Sequence, residues 1–163
     1  MIPTGVAFAA SGLVGNCIGM NQVYRAKQYA QISILYSIFV TVTMLSLFTI
    51  YADFISRIFT NDTVVIESTK ACLWSLFAYI LFSTIKGVQN GIVRSLGLQQ
   101  RNSFYTLIFA YGLGIPLAAV FCFQFGMGLS GMWFGISIAN FALVMAINYV
   151  IKSTNWEAIA SRQ

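Results

Sequence analysis

The side chains that could do chemistry in this chain are few, and most of them lie in apolar segments. The sequence contains no histidine, and none of its four acidic side chains lies centrally in an apolar segment, so no acid–base cluster falls within one. Its three cysteines, Cys17, Cys72 and Cys122, lie apart in apolar stretches and form no CxxC pair. We therefore expect no catalytic residue, no metal ligand and no cofactor, and we do not expect an enzyme.

Amide and hydroxyl side chains within the apolar segments form a second group that could bind a solute. They are Asn16, Gln89, Asn90, Gln124, Asn140, Asn148, Tyr36 and Tyr111. Amides buried in a membrane bundle often do no more than hydrogen-bond two helices together. Asn16 and Asn90 lie on or next to faces of small residues, so we predict that these two and Tyr111 line a substrate cavity.

Lys86 is the only basic residue well inside an apolar segment. A charge at such a depth could sense a substrate or a coupling ion. We expect instead that its aliphatic stem follows the helix and that its ammonium snorkels to the cytoplasmic interface. Since no carboxylate lies centrally in any apolar segment, these residues do not identify a coupling ion.

The elements that must position these side chains are membrane-spanning helices. Hydrophobic residues make up 58% of the chain and charged residues 8%, with a mean hydropathy of +0.79, whereas soluble domains contain about 25% charged residues. No charged side chain occurs between Arg101 and Lys152. An open sheet cannot cross lipid, because its unpaired backbone groups would have no water to bind.

Charges and turn residues divide the chain into candidate spans of about 20 residues, the length that crosses a bilayer as a helix. They lie at about residues 1–20, 28–52, 67–93, 103–124 and 129–151, and residues 152–163 form a short cytoplasmic tail. We therefore predict one all-α integral membrane domain, a bundle of about five transmembrane helices.

Basic residues predict the orientation of this bundle. Arg25 and Lys27 follow the first span, Arg94 and Arg101 lie between the third and fourth, and Lys152 follows the fifth. Because basic loops favour the cytoplasm, we predict an outside N-terminus, a cytoplasmic C-terminus, and a role as cytoplasmic loop anchors for Arg25, Lys27, Arg94 and Arg101. The net charge of +5 is thereby explained without a nucleic-acid partner. An Asn-x-Thr glycan acceptor at Asn61 falls in a loop that is predicted to lie outside.

Small residues recur at every fourth position in three of the spans. Helix backbones can approach closely along such stripes, so we predict helix packing at Ser11, Gly15, Gly19, Gly87, Gly91, Gly131 and Gly135. The stripes fit dense packing, and they also fit surfaces that rock or slide in a transporter.

Gly114 and Pro116 interrupt the fourth span, because proline lacks a backbone donor and clashes with the preceding turn. We predict a hinge or kink there, and a kink without any binding role is an equal alternative.

Motifs in a fixed order along the chain resemble the multidrug and toxic compound extrusion (MATE) transporter family. They are Pro3-x-Gly5 with Ala9-x-Ser11, Val14-Gly15-Asn16-x-x-Gly19 and Ala26; Gly91 to Gln99, similar to a Gly-x-x-Arg-Gly-x-Gly-x-Gln turn; Tyr111-x-x-Gly114-Ile115-Pro116; Gly128-Leu129-x-Gly131-Met132-Trp133-x-Gly135; and Asn155-Trp156-Glu157, similar to a closing Asp-Trp. The order resembles the C-terminal part of the family's second lobe, from its second helix to its sixth.

This resemblance implies a fold of twelve spans in two related lobes, with a central cavity between the lobes that opens to alternate sides. The first lobe and the first helix of the second lobe would be absent here, so the chain is expected to be a fragment, a truncated gene model or a diverged paralogue. Three positions depart from the family pattern: Ser95 replaces a glycine, Asn155 replaces an aspartate, and Lys86 replaces a neutral polar residue.

The function implied by this resemblance is part of a secondary-active antiporter that exports organic cations or other amphipathic solutes. Influx of protons or sodium would drive export by alternating access. Expected partners are the lipid bilayer, the solute with its counter-ion, and a missing first lobe or another transporter chain. The expected location is the plasma membrane or a vacuolar or vesicular membrane. Alternatives are a non-transporting membrane interaction subunit, an inactive fragment, or a small homo-oligomeric transporter.

Overall fold

The computed structural model describes residues 2–59 and 63–161, and its regular structure in these two ranges is entirely helical. The helices are α1 (Ile2–Gly19), α2 (Val23–Ile50), α3 (Ala52–Phe59), α4 (Thr63–Ser95), α5 (Gln99–Gln124), α6 (Gly128–Ser153) and α7 (Trp156–Ala160). The predicted all-α fold class is therefore confirmed. The predicted glycan acceptor Asn61 lies outside the described residues.

Four segments of the described chain are long and apolar enough to cross a membrane: Val23–Ile50, Thr69–Ser95, Gln99–Gln124 and Gly128–Ser153. A shorter apolar stretch, Thr4–Gly19, lies in α1. The helices extend beyond several predicted spans, so that Arg25 and Lys27 lie in the first turns of α2, and Arg101 in the first turn of α5. The short helices α3 and α7 lie outside the predicted spans.

Helix α4 lies at the centre of the bundle and packs against α1, α2 and α6. Its contact with α1 joins two of the predicted small-residue stripes. A Cβ atom on Gly91 would overlap the backbone carbonyl of Ala7, and one on Gly15 would lie 3.6 Å from the Cβ of Ser95. Open space surrounds Gly87 on the same stripe, and also Gly19. The backbones of α1 and α4 therefore touch at Gly91.

Helix α6 packs against α5 through a second glycine face. A Cβ on Gly135 would lie 2.5 Å from the backbone nitrogen of Ala118, and one on Gly131 would lie 2.6 Å from the carbonyl oxygen of Phe121. On the opposite helix, Gly114 would place a Cβ 3.3 Å from the Cβ of Ala139. These short distances leave no room for side chains between the two backbones.

The winding of α5 is irregular on both sides of Pro116. A π-helical segment spans Ile108–Gly114, an α-helical turn spans Ile115–Ala119, and a second π-helical segment spans Val120–Gln124. The proline ring would clash with the carbonyl of the residue four positions earlier, Gly112, in a regular α-helix. The wider π turn occurs at that position, so the interruption takes the form of altered winding within a continuous helix.

The outer surface of α2 suits contact with lipid. Large apolar side chains project from it, including Leu35 and Phe39, which are 67% and 68% exposed. Its exposed hydroxyl groups bond within the helix, since Thr43 donates to the carbonyl of Phe39 at 2.9 Å and Ser46 to that of Val42 at 2.8 Å. Such bonds satisfy polar groups where lipid offers no partner.

The predicted tail contains a short helix that is anchored to the bundle. Asn155 begins α7 and accepts a hydrogen bond from the backbone N–H of Ala158 at 3.2 Å, as an N-cap residue does. Trp156 is buried, and its indole N–H donates to the carbonyl of Ile151 at 2.9 Å. Helix α7 thereby packs against α1 and α2.

The orientation of the bundle can be tested by thiol labelling. In a cysteine-free background, single cysteines at Phe125 and Ser153 mark opposite ends of α6, and both positions are exposed. We expect a membrane-impermeant maleimide to label Phe125→Cys in intact cells and to label Ser153→Cys only after permeabilisation. The reverse pattern would contradict the orientation that the basic residues predict.

Candidate functional site

A cavity of about 550 Å³ lies between α4, α5 and α6. Its wall is mainly apolar, with Ile115, Met132 and Leu143 among the lining residues. Its polar groups come from Tyr79 and Lys86 on α4, Thr106 and Tyr111 on α5, and Asn140 on α6. A mainly apolar wall with a few convergent polar groups is typical of a site for a small organic molecule.

Lys86 is the only charged residue among the described residues that line this cavity. Its ammonium donates a hydrogen bond of 2.9 Å to Oδ1 of Asn140, midway along α6. The sequence-based expectation that Lys86 snorkels to the cytoplasmic interface is therefore wrong. The amide of Asn140 holds the ammonium in the interior of the bundle, where it faces the cavity.

Gln89 joins the same two helices one turn farther along α4. Its side chain is 2% exposed, and its amide nitrogen donates to the carbonyl of Val144 at 3.2 Å. Its Oε1 accepts no hydrogen bond from the part of the chain that the structure describes. Lys86 and Gln89 thus form two polar links between α4 and α6, and the first of them lies in the cavity wall.

A second cavity, of about 440 Å³, adjoins the first and shares Thr106 and Tyr111 with it. Asn90 and Arg94 of α4 and Asn102 of α5 also line this second cavity. The side-chain amide of Asn102 donates to Oδ1 of Asn90 at 2.9 Å and joins the two helices near their turn. The two cavities together extend from Arg94, at the end of α4, to Lys86.

The three residues predicted to line a substrate cavity occupy different places. Tyr111 lines both cavities, and Asn90 lines the second one. Asn16 is exposed on α1 and lines neither. Gly114, predicted at the hinge, lines the first cavity, whereas Pro116, two residues later, is exposed and does not line it.

The basic residues predicted as anchors gather at one end of the bundle. Lys27 shares a groove with Lys152 and Trp156, and Arg25 donates a 3.1 Å hydrogen bond to Gln22. Arg94 and Arg101 are exposed near the turn between α4 and α5. Gly97 adopts a positive φ of 71° in this turn, a conformation that glycine tolerates and that ends a helix.

Lys86 and Asn140 are the pair that sequence reasoning did not bring together. They are 54 residues apart, and each was judged separately, as a snorkelling base and as a helix-bridging amide. One signal was available, namely a lone charge and an amide at mid-span on two different helices. Only the packing of α4 on α6 shows that the two side chains meet.

Among the described residues, no group of three or more His, Cys, Asp or Glu side chains could hold a metal ion.

Comparison with known proteins gives consistent matches. The MatE family model matches residues 1–120. Multidrug and toxin extrusion protein 1 of Danio rerio is 28% identical over 157 residues, which cover 96% of this chain and 27% of that protein. Protein DETOXIFICATION 55 of Arabidopsis thaliana is 30% identical over 158 residues, which cover 95% of this chain and 31% of that protein.

A solved structure shares the fold. The crystal structure of the eukaryotic MATE transporter AtDTX14 superposes with a TM-score of 0.89 at 22% sequence identity. The match covers 99% of this chain and 36% of that chain. The present chain thus spans about a third or less of the length of the proteins it matches.

Proposed function

The chain belongs to the MatE family, and from this premise we propose that it is part of a secondary-active transporter that exports an amphipathic organic solute. Influx of protons or sodium drives the export, and the binding site opens to the two sides of the membrane in turn. The relatives named above as multidrug and toxin extrusion proteins support this proposal.

The observation on which the proposal rests is the cavity between α4, α5 and α6. Its volume of about 550 Å³ lies in the range of small-molecule sites, which is about 300–1,000 Å³. Tyr111 and Asn90 act as solute contacts, as their places in the two adjoining cavities support. Asn16 contributes only when a further part of the transporter covers the exposed face of α1.

Helix α5 is the element that we assign to the movement. Gly114 lines the cavity, and the π-helical segments on both sides of Pro116 replace regular α-helical bonds. Transporters commonly place interrupted helices at their binding sites. In this proposal α5 bends at Gly114 and Pro116, while the close contact at Gly91 holds α1 against α4. The hydrogen bonds of Lys86 and Gln89 join α4 to α6.

Transport can be measured in lipid vesicles that contain the protein as isolated from its native membrane. We expect an imposed proton or sodium gradient to drive movement of a fluorescent amphipathic dye faster than in empty vesicles. Ala110 lines the cavity, so we expect Ala110→Trp to occupy part of it and to weaken solute binding by about 1.4 kcal/mol. At a solute concentration below saturation, this change lowers the initial rate by about tenfold.

The matched control is Phe39→Trp on the lipid-facing surface of α2, which should leave the rate unchanged. A rate equal to that of empty vesicles under both gradients would contradict transport. It would favour the alternative hypothesis of a non-transporting membrane subunit that packs against a complete transporter.

A further inference from the structure

The described residues that line the first cavity carry a positive charge and include no acidic side chain. Lys86 is its only charged residue among the described residues, and its partner Asn140 is neutral. The chain contains four acidic side chains. Glu67 and Glu157 are exposed, whereas the side chain of Asp53 and the whole of Asp62 fall outside what the structure describes. Within the described part of the chain, no carboxylate is therefore available to pair with a cation in this cavity.

The hydrogen bond to Asn140 uses only one of the N–H donors of the Lys86 ammonium. A lysine ammonium has three N–H donors and no acceptor, and Asn140 accepts from one of them. A charge in an apolar environment is costly unless an opposite charge pairs with it. A bound carboxylate would supply both that opposite charge and two acceptor oxygens, whereas a bound organic cation would be repelled by the ammonium.

The adjoining cavity has the same sign of charge. Arg94 lines it, and it meets the first cavity at Thr106 and Tyr111. A cleft lined by one sign of charge, with walls of low dielectric constant, concentrates ligands of the opposite sign. Each of the two adjoining cavities thus contains one basic side chain, Arg94 near the end of α4 and Lys86 farther inside the bundle.

The wall beyond Lys86 is apolar and aromatic. Tyr79, Tyr111, Phe123 and Met132 line the cavity together with small alanine and glycine positions. Such a wall accommodates a hydrocarbon or aromatic body, and the hydroxyl group of Tyr111 can donate a further hydrogen bond to an oxygen atom of the solute. The hydroxyl of Thr106 already donates to the carbonyl of Asn102 at 2.8 Å.

We propose that this cavity recognises an anionic amphipathic solute, an organic carboxylate with an apolar body, whose carboxylate pairs with the ammonium that Asn140 holds in place. The inference rests on the proposed transport function and names the substrate class of the same cavity. It replaces the organic cation that family resemblance alone implies.

Two probes with the same aromatic body and opposite charges test this proposal. Anthracene-9-carboxylate and (anthracen-9-ylmethyl)ammonium share an aromatic body, and both fluoresce. Their binding is measured by fluorescence titration with the protein in vesicles of net-neutral phosphatidylcholine, with protein-free vesicles as the background. We expect the carboxylate probe to bind with a Kd at least about tenfold lower than that of the ammonium probe. One hydrogen bond between charged groups contributes enough to affinity to produce a difference of this size.

Variants of Lys86 identify the group responsible for the preference. We expect Lys86→Met to abolish the tenfold preference and Lys86→Arg to keep it. Lys152→Met makes the same chemical change at an exposed residue outside the cavity and should leave the preference intact. Circular dichroism checks that each variant folds, and the comparison of the two probes on the unaltered protein does not depend on any variant.

Equal binding of the two probes, or tighter binding of the ammonium probe, would overturn the proposal. So would a carboxylate preference that survives in folded Lys86→Met. Gradient-driven flux separates this inference from the proposed function. Flux of the ammonium probe alone would support transport and overturn the anionic class, whereas Lys86-dependent carboxylate binding without any flux would support the anionic site and contradict transport.

Discussion

Trp156→Ala is expected to lower the free energy of unfolding by about 3–5 kcal/mol, the usual cost of removing a buried tryptophan. Trp156 is only 4% exposed and belongs to the cluster of buried residues formed by α1, α2, α4 and α6. Its removal would leave a cavity there and would also remove the hydrogen bond to the carbonyl of Ile151. The measurement is an SDS titration in mixed micelles, followed by circular dichroism.

Two further variants separate the contributions to this effect. Trp156→Phe keeps most of the buried volume and loses the N–H donor, so we expect a smaller loss of about 1 kcal/mol. Trp74→Ala removes the same side chain from an exposed site, where Trp74 is 78% exposed, and should change the stability little. If Trp74→Ala destabilised the protein as much as Trp156→Ala, the anchoring role of α7 would be wrong.

Gly91→Ala is expected to lower the free energy of unfolding by about 1–3 kcal/mol, the usual cost of overpacking. The added Cβ would lie 3.2 Å from the carbonyl carbon of Ala7 and closer still to its oxygen. The obstacle is backbone, which cannot rotate away as the end of a side chain can. The helices α1 and α4 would have to move apart, and this separation outweighs the gain of about 1 kcal/mol that alanine brings to a helix.

Gly87→Ala is the matched control, because Gly87 lies one turn earlier on the same predicted stripe of α4. A Cβ there meets nothing within 4 Å, so we expect no loss of stability, or a small gain from helix propensity. The same SDS titration compares both variants with the unaltered protein. Equal destabilisation by the two substitutions would show that helix separation at Ala7 is not the cause.

The helical bundle was predictable because the membrane restricts backbone structure so strongly. Lipid offers no hydrogen bonds, so an apolar segment of about 20 residues must satisfy its own backbone groups as a helix. The run without charges between Arg101 and Lys152 therefore predicts two helices, and α5 and α6 occupy it. Helix ends were predicted less well, since Arg25 and Lys27 extend α2 beyond the apolar segment.

The short helix α7 could not be predicted from the same pattern. It contains five residues, too few for an amphipathic period, and its formation depends on the cap at Asn155 and on the burial of Trp156. The family resemblance marked these residues as a motif without showing what they contact. The π-helical winding of α5 was likewise beyond the sequence, although Pro116 indicated where an interruption would occur.

The sequence by itself determined that this chain is a multi-pass helical membrane protein of the MatE family. Composition, span length and motif order follow from the order of residues along the chain and do not depend on which residues meet in space. Tertiary structure decided which glycines touch, since Gly91 and Gly87 are equivalent in the stripe and differ only in whether Ala7 lies opposite. Tertiary structure also decided the position of the Lys86 ammonium. The register of α4 against α6 determines that this group meets the side-chain amide of Asn140 and does not extend to the membrane interface.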